Sequence, residues 1–201
     1  MDLHIECLPV GRLIENCYII YKDGREDAVI IDPGAEKERI LNALERLQKK
    51  PAAVLLTHGH FDHTGALSAF EGLPIYIHKA DNIMLNDASL NVGDRFDDFA
   101  ERPKATDLVD EGNEMDIAGI HFTVLHTPGH TEGCVCYLAD DTVMFTGDTL
   151  FHHGYGNTEH YSGNFHKLVK SLKLLLRLPK DYAIYPGHGD SSTIFRERGG
   201  L

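Results

Sequence analysis

Cysteine is scarce in this sequence: four residues in 201, namely Cys7, Cys17, Cys134 and Cys136, with no zinc-finger spacing among them. All four sit in or beside apolar runs, so they read as buried free thiols, which excludes a disulfide framework. Cys134 and Cys136 share a face if 134–138 is a strand, and a redox role for that pair stays open. Long apolar runs are also missing. No stretch approaches the ~20 residues that cross a bilayer, and the longest clean runs have the length of strands. Basic residues are outnumbered, 19 Lys and Arg against 31 Asp and Glu, for a formal net charge of −12. That balance disfavours a phosphate-backbone partner, so no nucleic acid is expected. Met1-Asp2-Leu3-His4 shows no basic segment followed by an apolar one; a cytoplasmic protein without a membrane partner is therefore expected.

What remains is an ordinary globular mixture, 42% hydrophobic and 25% charged, in a chain long enough for one large domain over 1–201. Strands are expected over 3–10, 17–21 and 28–31, with Gly11-Arg12 as a turn and Asp23-Gly24 in a hairpin. Ile40, Leu41, Leu44 and Leu47 recur at helical spacing and predict an amphipathic helix over 37–49, stopped before Pro51. A strand over 53–56, a short helix over 65–70, a strand over 74–78 and a helix over 80–87 follow. The stretch 89–106 has few periodic apolar positions and carries Asp94, Asp97, Asp98 and Glu101; it reads as a mobile lid or as a solvated connector. The second half is again strand-rich, over 108–109, 115–117, 120–125, 134–138 and 142–145, then a helix over 165–178 and a strand over 183–185. Each half runs several strands, a helix and a strand. Two such units packed face to face predict a mixed α/β fold, a four-layer αββα sandwich.

The chemistry concentrates in Thr57-His58-Gly59-His60-Phe61-Asp62-His63, where four ligand-grade side chains follow the apolar run Ala53-Val54-Leu55-Leu56. Read as a loop at the end of a buried strand, this stretch can turn neighbouring ligands inward without helical spacing. A polar turn that happens to be rich in histidine is the bland alternative. Three further pieces count against it: His130 in Thr127-Pro128-Gly129-His130-Thr131, Asp148 in Thr146-Gly147-Asp148-Thr149, and His188 in Pro186-Gly187-His188-Gly189, each just past a strand. His58, His60, Asp62, His63, His130, Asp148 and His188 make seven donors, too many for one tetrahedral ion. Two divalent ions sharing a carboxylate and a solvent oxygen use all of them; ~3.5–4 Å apart, such ions hold a bridging hydroxide as nucleophile and polarise the substrate. Imidazole and carboxylate donors suit zinc foremost, with iron or manganese as the other candidates.

The order His-x-His-x-Asp-His, Thr-Pro-Gly-His-Thr, Gly-Asp and Pro-Gly-His-Gly resembles the metallo-β-lactamase fold superfamily, in its glyoxalase II-like hydrolase branch, from about Asn16 to Glu197. The resemblance implies that His58, His60 and His130 hold a first ion, that Asp62, His63 and His188 hold a second, and that Asp148 bridges them. It implies a hydrolase that cleaves a thioester or other acyl ester of a small molecule, a lactone among them, with Asp62 receiving the proton released during attack. His63 directly after Asp62, and aspartate rather than cysteine at 148, argue against β-lactam hydrolysis; the acidic balance argues against the RNA-processing members. The match weakens after Asp148. Thr149-Leu150-Phe151-His152-His153-Gly154-Tyr155-Gly156-Asn157 places a neutral amide where the glyoxalase II family carries the cation that helps recognise glutathione. Tyr155, Asn157 and Tyr161 are read as substrate contacts.

A second enzyme class resembles this chain too. Persulfide dioxygenases share the fold and bind one iron through two histidines and an aspartate, matching His58, His130 and Asp148, and Thr131-Glu132-Gly133-Cys134-Val135-Cys136-Tyr137 is similar to that group. Pro186-Gly187-His188-Gly189 departs from its usual last motif. A sensor or scaffold has little use for an open seven-ligand site. Of the other histidines, His78 and His121 read as packed or surface residues, His126 as structural support, and His152, His153 and His160 as polar residues of the entrance or of an exposed loop.

Overall fold

Successive residues of each apolar run go to opposite layers, and that alternation builds the molecule. The computed structural model describes residues 2–199; Met1, Gly200 and Leu201 lie outside them. In the first half, β1 (Leu3–Val10), β2 (Glu15–Lys22), β3 (Asp27–Ile31), β4 (Lys50–Leu55), β5 (Ile75–His78) and β6 (Asp107–Val109) form one sheet in sequence order. Helix α1 (Lys37–Leu47) crosses between β3 and β4, which run parallel. In the second half, β7 (Glu114–Ile117), β8 (Ile120–His126), β9 (Val135–Ala139), β10 (Val143–Gly147), β11 (Ala183–Pro186) and β12 (Ser192–Thr193) form the other sheet, again in sequence order. Helix α3 (Phe165–Leu176) makes the parallel crossover between β10 and β11. Two one-turn helices complete the set, α2 (Phe61–Thr64) and α4 (Ile194–Glu197).

Tyr18 and Ile20 of β2, Val29 and Ile31 of β3 and Leu55 of β4 meet Phe122, Val124, Val135, Tyr137 and Phe145 of the second sheet in a central core. Their neighbours Cys17, Ile19, Ala28, Ile30 and Val54 point the other way, onto Ile40, Ala43 and Leu44 of α1. Cys136 and Met144 likewise leave the central core for Leu168, Leu172 and Leu175 of α3. Both sheets are thus covered on two sides, and the order is helix, sheet, sheet, helix, the αββα sandwich expected. No helix among the described residues is long and apolar enough to cross a membrane.

Several local expectations change. The stretch 57–63 is not all loop: Phe61–Thr64 winds into a helical turn, with the Thr64 hydroxyl donating to the His60 carbonyl at 2.9 Å. Residues 80–87 give only a 3-10 turn at Asn82–Asn86, and the helix expected over 65–70 shrinks to one at Leu67–Phe70. Helix α3 stops at Leu176, because Leu178 precedes Pro179 and the position before proline disfavours helix. Cys17, Cys134 and Cys136 are buried free thiols, but Cys7 is exposed: on the edge strand β1, Leu8 and Val10 take the inward positions. Burial pushes the Cys136 thiol up to about 12, which keeps it protonated.

The acidic stretch 89–106 is anchored at both ends. Asn91 is fully buried and accepts from the Gly93 amide while donating to the Met84 carbonyl. Arg102, only 6% exposed, donates to Thr64, Ala100 and Asp98.

Candidate metal centre

Sheet topology decides where the ligands emerge. β3, β4 and β5 run parallel, so the chain leaving Leu55 carries Thr57 to His63 out at one end of the first sheet. In the second sheet Gly147 of β10 lies opposite Pro186 of parallel β11, and the Gly187 amide donates to the Gly147 carbonyl at 2.9 Å. Asp148 and His188 therefore leave adjacent strands side by side. His130 follows β8 through the Pro128-Gly129 turn, which packs on α3: the Asn164 amide and the Ser171 hydroxyl donate to the Gly129 and Pro128 carbonyls.

All seven expected donors meet there. His58 Nε2 and His130 Nε2 lie 3.0 and 2.9 Å from His60 Nδ1. Asp148 spans the two groups, with Oδ2 3.4 Å from His130 Nε2 and Oδ1 3.4 Å from His63 Nε2. His188 Nε2 stands 3.3 Å from Asp62 Oδ2 and 3.7 Å from Asp148 Oδ2. Sets of potential ligand atoms result that include His58, His60, His130; His58, His63, Asp148; and Asp62, His63, His188.

The far nitrogens of four of the rings are held by oxygen. His63 Nδ1 contacts Asp32 Oδ2 at 2.9 Å, His130 Nδ1 the Asn157 carbonyl at 2.6 Å, His188 Nδ1 the Leu13 carbonyl at 3.2 Å and His58 Nδ1 the Thr57 hydroxyl at 3.2 Å. Each such contact takes the Nδ1 proton and leaves the Nε2 lone pair facing the cluster, the tautomer a metal requires. Facing one another, these lone pairs are a costly arrangement without a cation between them. Three polar atoms of the ligand set, His60 Nε2, His63 Nε2 and Asp148 Oδ1, are buried with no hydrogen-bond partner, as are both oxygens of Glu15 behind His63. The residues fit a metal centre, and the glycines agree: a Cβ on Gly187 would stand 2.3 Å from Asp148 Oδ1, so only glycine lets this backbone approach the cluster.

Electrostatics favour the same reading. Burial, reinforced by neighbouring imidazoles, holds His58 and His60 well below the usual histidine range, hence neutral. Burial alone would raise the Asp148 carboxyl, but His63 and His130 outweigh it and hold it well below the carboxylate range. Burial also pushes His63 down, yet Asp148, Asp62 and Asp32 overcome it and raise it well above the usual value; without a metal, a proton does the metal's work there. Burial drives the Glu15 carboxyl well up, despite His63.

Supporting residues that the motifs do not reveal hold the ligands. Asp32 receives the Thr57 amide at 2.8 Å and the Thr57 hydroxyl at 2.6 Å besides His63; its only sign in the sequence is the Asp32-Pro33-Gly34 break after β3. Asp81, fully buried, accepts from the Gly59 and Gly133 amides at 3.0 and 2.7 Å and from the Thr131 hydroxyl at 2.6 Å, tying the His58–His60 loop to the His130 loop. Asn16 and Tyr18 of β2 clamp the His188 loop through the Pro186 and Gly189 carbonyls. No local pattern marks Asn16 and Tyr18, because their partners lie more than 100 positions away.

The cleft over the cluster is lined by Leu13, Val92, Phe96, Asn157 and His160 besides the ligands. Of the residues read as substrate contacts, Asn157 lines this cleft, whereas Tyr155 and Tyr161 lie outside this lining, 41% and 44% exposed; His160 also takes a place in the wall. His126 lies away from the cluster, stacked on His78 with ring centroids 4.2 Å apart.

The family profile of the Metallo-beta-lactamase superfamily matches residues 10–188, and the chain belongs to that superfamily. Among its relatives, the hydroxyacylglutathione hydrolase GloC of Haemophilus influenzae is 35% identical, with 98% of this chain and 95% of that protein covered. Among solved structures, BLEG-1 B3 metallo-beta-lactamase matches with a TM-score of 0.92 at 34% identity, covering 98% of this chain and 97% of that one. TTHA1623 in a di-iron-bound form matches with a TM-score of 0.86 at 34% identity, covering 97% and 98%.

Proposed function

We propose that this metallo-hydrolase cleaves a thioester or related acyl ester of a small molecule, glyoxalase II-like, at a centre of two divalent cations in the cytoplasm. The observation that carries the reading is the convergence of seven donors, three of whose buried atoms have no partner, on the floor of an open cleft. His58, His60 and His130 would hold one cation, Asp62, His63 and His188 the other, and Asp148 both. Bound there, such cations polarise an acyl carbonyl and bring the acidity of water near neutral pH. The chain's own groups do the rest. Asp62, on the cleft wall beside His188, is placed to take the proton released when water adds to the carbonyl. Leu13, Val92 and Phe96 give the acyl group an apolar wall that excludes competing water.

Support for a thioester comes from GloC, a hydroxyacylglutathione hydrolase by name; against glutathione itself stands Asn157, whose side-chain oxygen accepts from the Glu159 amide at 3.2 Å and which brings no charge. A structure named as a B3 metallo-beta-lactamase supports a rival ring-opening activity. The test is one panel with one protein purified without added metal: S-lactoylglutathione, a glutathione-free thioester, a lactone, a β-lactam, and a persulfide with oxygen uptake followed, beside elemental analysis. Thioester turnover with two zinc per chain is the expected result. β-Lactam turnover alone, or oxygen uptake with one iron, would replace this reading.

A further inference from the structure

We propose that Arg95 and His160 form a carboxylate-binding subsite at the rim of the cleft, and that the substrate is an acyl thioester or ester bearing a carboxylate. The inference rests on the hydrolase reading for its substrate but not for its site. Arg95 lies on a 3-10 turn, Gly93–Phe96, between β5 and β6, across the cleft from the loop that follows Asp148. Its guanidinium meets His160 Nδ1 at 3.4 Å, and the His160 ring stands 5.9 Å from the His60 ring in the wall over the cluster. A group bound above the ligands and extending past His160 therefore runs into Arg95.

The other cations nearby are engaged. Arg12 donates to the Phe96 carbonyl at 3.0 Å and lies over the Phe96 ring. Arg102 is buried in its contacts with Thr64, Ala100 and Asp98. Arg95 is exposed, and among the described residues it makes no ion pair with a carboxylate, although Asp94 and Asp97 are close in sequence. In a chain of net charge −12, an exposed guanidinium with free donors beside a cleft is where an anion can be held. Its planar fork matches a carboxylate in two parallel hydrogen bonds.

The position is built rather than incidental. The turn carrying Arg95 is bracketed by Val92 and Asp97, both left-handed at φ 70° and 58°, and a β-branched residue adopts that conformation only when its surroundings impose it. Asn91 fixes one side, its carbonyl accepting the Phe61 amide at 2.9 Å, and Phe96 stacks on Phe61 at 4.7 Å. Phe61 stands between His60 and Asp62, so Arg95 keeps a fixed distance from the ligand loop.

The experiment compares S-butyryl-N-acetylcysteamine, which is neutral, with S-succinyl-N-acetylcysteamine and S-butyrylglutathione, which carry the carboxylate on the acyl and thiol side respectively. In Arg95→Ala the ratio of kcat/KM for a carboxylate-bearing thioester over the neutral one falls about tenfold or more, through KM, and Arg95→Lys recovers part of it. The arm that falls tells which half of the substrate the subsite reads; an unchanged ratio in both arms overturns the proposal. Calorimetric titration of metal-free protein with succinate gives a reading that needs no turnover: binding lost in Arg95→Ala supports the subsite, and equal binding by both proteins, or by neither, overturns it. Failure of the wild-type enzyme to cleave any of the three would defeat the thioester reading and leave this titration to decide the subsite.

Discussion

Asp32 shows how a residue without catalytic contact governs a centre. Its carboxylate joins the Thr57 amide, the Thr57 hydroxyl and His63 Nδ1, so one side chain fixes both the start of the ligand loop and the tautomer of a ligand. Asp32→Asn keeps the shape but offers one oxygen where two are used. Metal affinity, measured by chelator competition, should drop by roughly 10–100-fold, the usual cost of losing such support, with the fold retained by circular dichroism. Asp148→Ala should do more. It removes the one carboxylate shared by both ligand groups, so metal content and activity fall together while the far-ultraviolet spectrum stays that of the folded chain. Metal at full occupancy with wild-type turnover in that variant would contradict the sharing role.

Among the elements, β2 and the Pro128-Gly129 turn bring in the parts that sequence motifs leave loose. Asn16 donates to the Pro186 and Gly189 carbonyls, and Asn16→Ala leaves the Gly189 carbonyl without this donor near His188, while the Tyr18 hydroxyl still holds Pro186. A loss of about 1–3 kcal/mol in thermal or denaturant unfolding follows, with weaker metal binding at His188. Gly129 has φ 148°, and a Cβ there would stand 2.3 Å from the Leu168 backbone in α3; Gly129→Ala must move either the helix or His130. Weakened metal binding with the far-ultraviolet spectrum of the folded chain retained would locate the strain at His130.

These contacts also explain what was legible beforehand. Strands such as 28–31 and the helix expected over 165–178, which ends at Leu176, announce themselves because their period is local and their apolar faces are whole. Ligands are legible for the same reason, since His58 to His63 and each later motif are short. Asp32, Asp81 and Asn16 were not, because their chemistry exists only once the chain has brought the end of β3 to that of β4, the end of β5 to that of β8, and β2 to the end of β11. The 3-10 turn at 93–96 escaped because nothing periodic marks it; it is held by the buried Asn91 side chain, which accepts from the Gly93 amide, and by the Asp98 amide donating to the Gly93 carbonyl.

The whole molecule responds to pH through a cluster whose members pull in opposite directions. In metal-free protein His58 and His60 have depressed affinities for protons, so below about pH 6.5 the unfolded chain takes up protons the folded one refuses, and stability falls with falling pH. His63 and His188 are raised, the second by its Asp62 hydrogen bond against the effect of burial. Their stabilisation is complete below the unfolded value and is lost as pH rises towards the folded one, so stability also falls above about pH 6.5. Asp148 adds a further loss in the acid, below about pH 4, where the unfolded carboxylate gains its proton first. Chelator-treated protein should therefore show a melting temperature that peaks near neutrality and declines on both sides. Metal changes one limb more than the other. A cation at His63 and His188 replaces the protons they would lose, so loading should flatten the alkaline decline, while the acid limb steepens as protons displace metal from the same nitrogens. Melting curves from pH 4 to 9, with and without zinc, test this; parallel profiles for the two forms would mean that the metal does not sit on these imidazoles.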